Sequence, residues 1–144
     1  MPYVPAVDID MHLSEIAVLL DSLRKLPLDG KRQKRILKQA IWEVAYATGN
    51  MQSRFLGRYR SELVVQNIGL KLERDHVHQM ANLLQELLRQ DCDLQSIIQR
   101  SECCIITREE HLRLTALPKA IDVWERYRQA GIVVMDMQTG QRQI

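Results

Sequence analysis

The sequence predicts a mainly α-helical fold: a single domain, 1–144, of about six to seven helices, with one short two-stranded β ribbon pairing 103–106 with 132–135. Three observations carry that expectation. Apolar residues recur at helical spacing through most of the chain. Gly and Pro fall mostly between those segments, where they punctuate helices. Only two short runs, CCII and GIVVM, break the helical period with apolar and β-branched residues.

Each element has its own warrant. In DIDMHLSEIAVLLDSLRKLPL, Leu13, Ile16, Leu19, Leu20 and Leu23 share one face behind an acidic start, and Pro27 with Gly30 ends the first helix. The second, GKRQKRILKQAIWEVAYATGN, turns Leu37, Ala40, Ile41 and Val44 to one side and stops at Gly49. Asn50 is placed to cap a third helix with Met51, Phe55, Tyr59 and Leu63 inward, running toward Gly69. An extended piece, LKLE, precedes a fourth helix from Asp75, its N-cap, to Arg89, with Val77, Met80, Ala81, Leu84 and Leu88 inward. DLQSIIQRS reads as a fifth helix capped by Asp93. Thr107 and Glu110 have the T-x-x-E spacing of a capping box, which opens the sixth, REEHLRLTAL. Pro118 suits the first turn of a seventh, with Ile121, Trp124 and Tyr127 inward and Gly131 closing it. The final TGQRQI reads as a frayed tail.

Composition sets the class. Charged residues make up 26% and hydrophobic residues 46%, a globular balance. No apolar run approaches the roughly 18 residues a membrane span needs. The N-terminus lacks the basic start and apolar stretch of a secretory signal and carries acids that a transit peptide avoids. A soluble, cytoplasmic protein without membrane contact is the expectation. Cys92, Cys103 and Cys104 form an odd set with one adjacent pair, a pattern of reduced thiols. On a strand, Cys103 and Cys104 alternate sides, one toward the core and one toward the surface.

The net charge of +2 conceals a strong asymmetry. Residues 31–60 hold eight basic side chains (Lys31, Arg32, Lys34, Arg35, Lys38, Arg54, Arg58, Arg60) against one acid, Glu43. Lys31, Lys34, Arg35 and Lys38 form a stripe opposite the apolar face of the second helix. Within this basic helix pair, 31–67, the segment 41–60, IWEVAYATGNMQSRFLGRYR, resembles a helix-turn-helix unit. Val44 and Phe55 are its inward anchors, Ala45 is small at the crossing, and Gly49 sits at the turn. The resemblance covers about 20 of 144 residues, and Asn50 and Arg58 stand where such units more often carry apolar side chains. It implies that Gln52, Ser53, Arg54 and Arg58 face base edges or phosphates, with Arg60 and the lysine-rich stripe adding phosphate affinity.

A second constellation is LKLERDHVHQM, where Asp75, His76 and His78 lie within four positions. Asp75 and His76, with His111 on a later helix, resemble the Asp-His centre of metal-dependent nucleases of the His-Asn-His type, which implies a metal held by Asp75 and water polarised by His76. Helical spacing opposes a local metal site, because His76 and His78 stand about 200° apart on a helix. The alternative explanation is structural: Asp75 caps a helix and Glu110 is the capping-box acid.

The sequence therefore points first to a non-enzymatic regulatory or accessory protein that binds nucleic acid, DNA before RNA, through Lys31, Lys34, Arg35, Lys38, Gln52, Ser53, Arg54, Arg58 and Arg60. It assigns no cofactor, no metal and no catalytic residue under that reading. One alternative is the nuclease built on Asp75, His76 and His111. Another is a helical interaction subunit or homodimer, pairing through the wide leucine arc of Leu83, Leu84, Leu87 and Leu88.

Overall fold

The computed structural model describes residues 3, 5, 7–48, 57–66, 69–121 and 123–144. Among them are seven helices and one five-stranded sheet, in the order α1 (Ile9–Arg24), α2 (Gly30–Thr48), β1 (Tyr59–Ser61), α3 (Glu62–Gln66), β2 (Leu72–His76), α4 (Met80–Leu87), α5 (Leu94–Arg100), β3 (Cys103–Thr107), α6 (Arg108–Thr115), α7 (Val123–Gln129), β4 (Val134–Asp136) and β5 (Gln141–Arg142). The fold is mainly helical. The expected two-stranded ribbon is replaced by a sheet of order β2-β3-β1-β4-β5. β3 and β4 are not neighbours, because β1 lies between them, parallel to β3 and antiparallel to β4.

Two apolar clusters flank this sheet. Ile16 and Leu20 of α1, Leu37, Ala40, Ile41 and Val44 of α2, Leu83 and Leu87 of α4, and Ile97 and Ile98 of α5 form the first. Tyr59, Val77, Cys104, Ile106, Leu114, Tyr127, Ile132 and Val134 form the second. Alternation along β3 sends Cys104 and Ile106 into the second cluster, while Cys103 and Ile105 line a small space with Ala45 and Thr48 of α2. Both faces of β3 are thereby covered, and all five of its residues are buried.

Local chemistry explains the helix boundaries that sequence spacing anticipates. Asp93 accepts a hydrogen bond from the Ser96 N–H at 3.2 Å and starts α5. At α6 the Glu110 N–H donates to Thr107 Oγ1 at 3.2 Å and the Thr107 N–H donates to Glu110 Oε2 at 2.9 Å, a complete capping box.

Other expectations are corrected. The expected third helix has its start, Asn50, Met51 and Phe55, outside the described residues; at its far end Tyr59–Ser61 is a buried strand and α3 begins at Glu62, where Ser61 Oγ accepts the Val64 N–H. A strand of three residues, YRS, is too short and too polar to show period two. Residues 72–76 continue the extended piece as β2, so Asp75 lies in a strand and is not a helix cap. The fourth helix starts after Gln79, and its buried residues are Leu83 and Leu87, with Met80 and Leu84 packed beside them; Ala81 and Leu88 are exposed. The leucine arc is thus largely used within the chain's own core. α7 begins at Val123, later than Pro118 suggests. Leu19 is exposed on α1. The supposed tail folds back as β5, paired to β4 across a turn in which Gly140 adopts φ +72°.

Thr107→Ala removes one half of the buried capping box and is expected to cost ~1 kcal/mol. Urea unfolding monitored by far-UV circular dichroism measures it, and an unchanged midpoint would show that the box does not hold α6.

Candidate nucleic-acid interface

The candidate surface begins with the winding of α2. At roughly 100° per residue, Lys31, Arg35, Lys38, Trp42 and Tyr46 fall within a sector of about 80°, with Lys34 just beside it. The opposite side, Leu37, Ala40, Ile41 and Val44, is committed to the core. Lys31, Lys34, Arg35 and Lys38 are all exposed. None of the four makes an ion pair among the described residues, whereas the neighbouring Arg32 lies 3.8 Å from Asp29. One helix face therefore carries unneutralised cations in its first half and two aromatic rings in its second.

Those rings meet β2, an outer strand of the sheet. Period two points Arg74 and His76 to the α2 side of the strand and Asp75 to the other. Trp42 meets His76 edge to face, with ring centroids 4.3 Å apart, and the Arg74 guanidinium lies 4.7 Å from the centre of the Tyr46 ring. The spacings match: four helical residues rise about 6 Å and two strand residues about 6.6 Å. Between α2 and this edge lies an open cleft of about 690 Å³, lined by Gln39, Trp42, Glu43, Tyr46, Leu72, Glu73, Arg74 and His111. Tyr46 is 51% exposed, so much of its ring remains accessible there.

His76 is the buried prop of this wall. It is 7% exposed, and its Nε2 has no hydrogen-bond partner among the described residues. Burial and then the nearby Lys38 charge push its pKa down to about 4. At neutral pH it is an uncharged ring packed on Trp42.

Asp75, on the other face, has a different set of partners. Arg126 Nη2 donates to its carboxylate at 2.5 Å and to the His76 carbonyl at 3.0 Å, and the Tyr127 hydroxyl donates to the same carboxylate. Burial raises the Asp75 pKa, while the Tyr127 hydrogen bond and the Arg126 charge pull it back. Arg126 and Tyr127 satisfy the carboxylate that the nuclease resemblance would give to a metal. Asp75 and His76 lie on opposite faces, His111 lines the cleft, and among the described residues no three His, Cys, Asp or Glu side chains gather to hold a metal ion.

The remaining predicted contacts are scattered. Gln52, Ser53 and Arg54 lie outside the described residues, as does the turn of the helix-turn-helix-like segment. Arg58 makes a two-pronged ion pair with Asp136, at 3.0 and 2.8 Å, and Arg60 is 4% exposed with Nε bonded to the Gly57 carbonyl. Both arginines belong to the packing of β1 and its neighbours. Cys103 and Cys104 are both buried, where the sequence suggested one near the surface, and burial raises both thiol pKa values. They are poor nucleophiles.

Trp42, Tyr46 and Arg74 belong to this surface beyond the residues that the sequence predicts for it. A signal existed for the first two, which continue the Lys31, Arg35, Lys38 sector at helical spacing. Arg74 joins them only once Leu72–His76 is recognised as a strand. Compared with family models, with curated proteins and with solved structures, the chain matches none of them.

Because the native pKa of His76 lies below the unfolded value of about 6.5, the unfolded chain takes up a proton first as pH falls. Stability is therefore lost from about pH 6.5 down to about 4. Between pH 7.5 and 5 this residue should remove about 2 kcal/mol. Urea unfolding at both values measures it, with His76→Phe expected to lack that component; equal losses in the two proteins would refute the assignment. Asp75→Ala strands a buried guanidinium and should cost about 3–5 kcal/mol, against about 1 kcal/mol for Tyr127→Phe. Similar midpoint shifts for the two would show that the ion pair does not dominate.

Proposed function

We propose that the protein is a non-enzymatic regulatory or accessory factor that binds nucleic acid, DNA in the first instance, along the exposed face of α2. The observation that supports this is the set of four solvent-facing cations, Lys31, Lys34, Arg35 and Lys38, with no ion pair to them among the described residues. Unpaired cations in a row offer phosphates an attraction that the protein does not already spend on its own carboxylates. The ridge spans about 10 Å of helix axis from Lys31 to Lys38, so several backbone phosphates fall within reach.

This contact set is smaller than the one the sequence suggested. Arg58 and Arg60 drop out because Asp136 and burial occupy them. The support rests on α2 alone and does not require a helix-turn-helix crossing.

Fluorescence anisotropy with a labelled oligonucleotide, at a series of salt concentrations, tests the proposal. Binding should weaken steeply with salt, and the double variant Lys34→Ala, Lys38→Ala should reduce the slope of log affinity against log salt by about 1.5. Polyglutamate that competes as well as nucleic acid would mark the ridge as a dock for acidic proteins. Absence of binding at low salt would end the nucleic-acid reading.

A further inference from the structure

The geometry points to a single-stranded ligand: we infer that the cleft between α2 and β2 receives an unpaired base while the ridge holds the adjoining phosphates. This inference rests on the ridge being a nucleic-acid surface, and it adds which form of nucleic acid the surface selects.

The argument starts from the shared sector of α2. A backbone tracking Lys31, Arg35 and Lys38 is led directly to Trp42 and Tyr46, about 6 and 12 Å beyond Lys38 along the axis. Cations followed by aromatic rings form the combination that binds single strands, because phosphates take the charge and every base offers a π-face. A paired base has its faces covered by its neighbours in the stack. A duplex can therefore use the ridge and not the rings.

The cleft is built for a flat guest. The Arg74 guanidinium covers one face of the Tyr46 ring at 4.7 Å and fixes it, and the exposed remainder of the ring is a planar surface on which a base stacks. Trp42 is held from behind by the buried ring of His76 at 4.3 Å, which limits its rotation. The volume of about 690 Å³ is ample for one base with part of its sugar. The floor adds selectivity. Glu43 of α2 lines the cleft, where it repels a phosphate and keeps the backbone on the ridge. The same carboxylate can accept a hydrogen bond from the exocyclic amino group of cytosine.

The experiment uses the full chain carrying Trp124→Phe, which leaves Trp42 as the sole tryptophan, titrated at low salt with oligo(dC) of about 12 nucleotides and with a duplex of equal length. Both should bind by anisotropy, and only the single strand should quench Trp42 fluorescence. Tyr46→Ala, at an exposed position, should weaken oligo(dC) binding about tenfold and change duplex binding less than about twofold. If Trp124→Phe does not fold, the difference in quenching between the parent chain and Trp42→Phe gives the same reading. Equal quenching by the duplex, single-strand binding without quenching, or equal weakening of both ligands by Tyr46→Ala overturns the single-strand inference and leaves the ridge intact. Failure of both nucleic acids to bind overturns the ridge proposal itself.

Discussion

The buried carboxylate of Asp75 is the contact that fixes the edge of the sheet. Two side chains of α7, Arg126 and Tyr127, donate to it, and Arg126 reaches one residue further to the His76 carbonyl. Moving a carboxylate and a guanidinium out of water is costly, so the arrangement is stable only with β2 held in this register. A shift of one residue would exchange the faces, bringing His76 to the guanidinium and Asp75 to Trp42. The register in turn decides that Arg74 and His76 face α2. The aromatic wall of the cleft is thus positioned from the far side of the sheet, by groups that never touch it.

Much of the helical scaffold is legible in the sequence, and the sheet largely is not. α1, α2, α5 and α6 follow from apolar spacing and caps, because those signals are local: Asp93 and Thr107 act on N–H groups only three residues away. β1 depends on partners far along the chain, Cys104 on one side and Asp136 on the other, and its own three residues carry no period. β2 was obscured by composition. LERDH is rich in charge, and a buried aspartate is tenable there because a guanidinium and a hydroxyl 51 and 52 positions away donate to it. A helix begun at Asp75 turns Ala81 and Leu88 inward, whereas α4 begins after Gln79 and buries Leu83 and Leu87.

The candidate surface divides in the same manner. The cations of α2 are visible because a solvent-facing lysine stripe needs nothing but helix geometry. Arg58 and Arg60 look equivalent to them in the sequence, yet one is paired with Asp136, 78 residues away, and the other is buried. Local charge counts overstate a surface whenever tertiary partners neutralise part of it. The helix-turn-helix resemblance ends in residues of another kind: Tyr59 and Arg60, its last two, belong to the sheet, and its turn lies outside the described residues.

The bond from Arg126 to the His76 carbonyl also bears on the open edge of the sheet. β2 is an outer strand, and such edges invite pairing with any extended chain nearby. Here the carbonyl at the end of the strand is already occupied by a side chain of the same molecule, and charged Glu73 and Arg74 stand beside it. A second strand laid along this edge could not use that carbonyl without displacing the guanidinium. The side chain that sets the register from one face thereby also shortens the stretch of open edge that an extended chain could pair with.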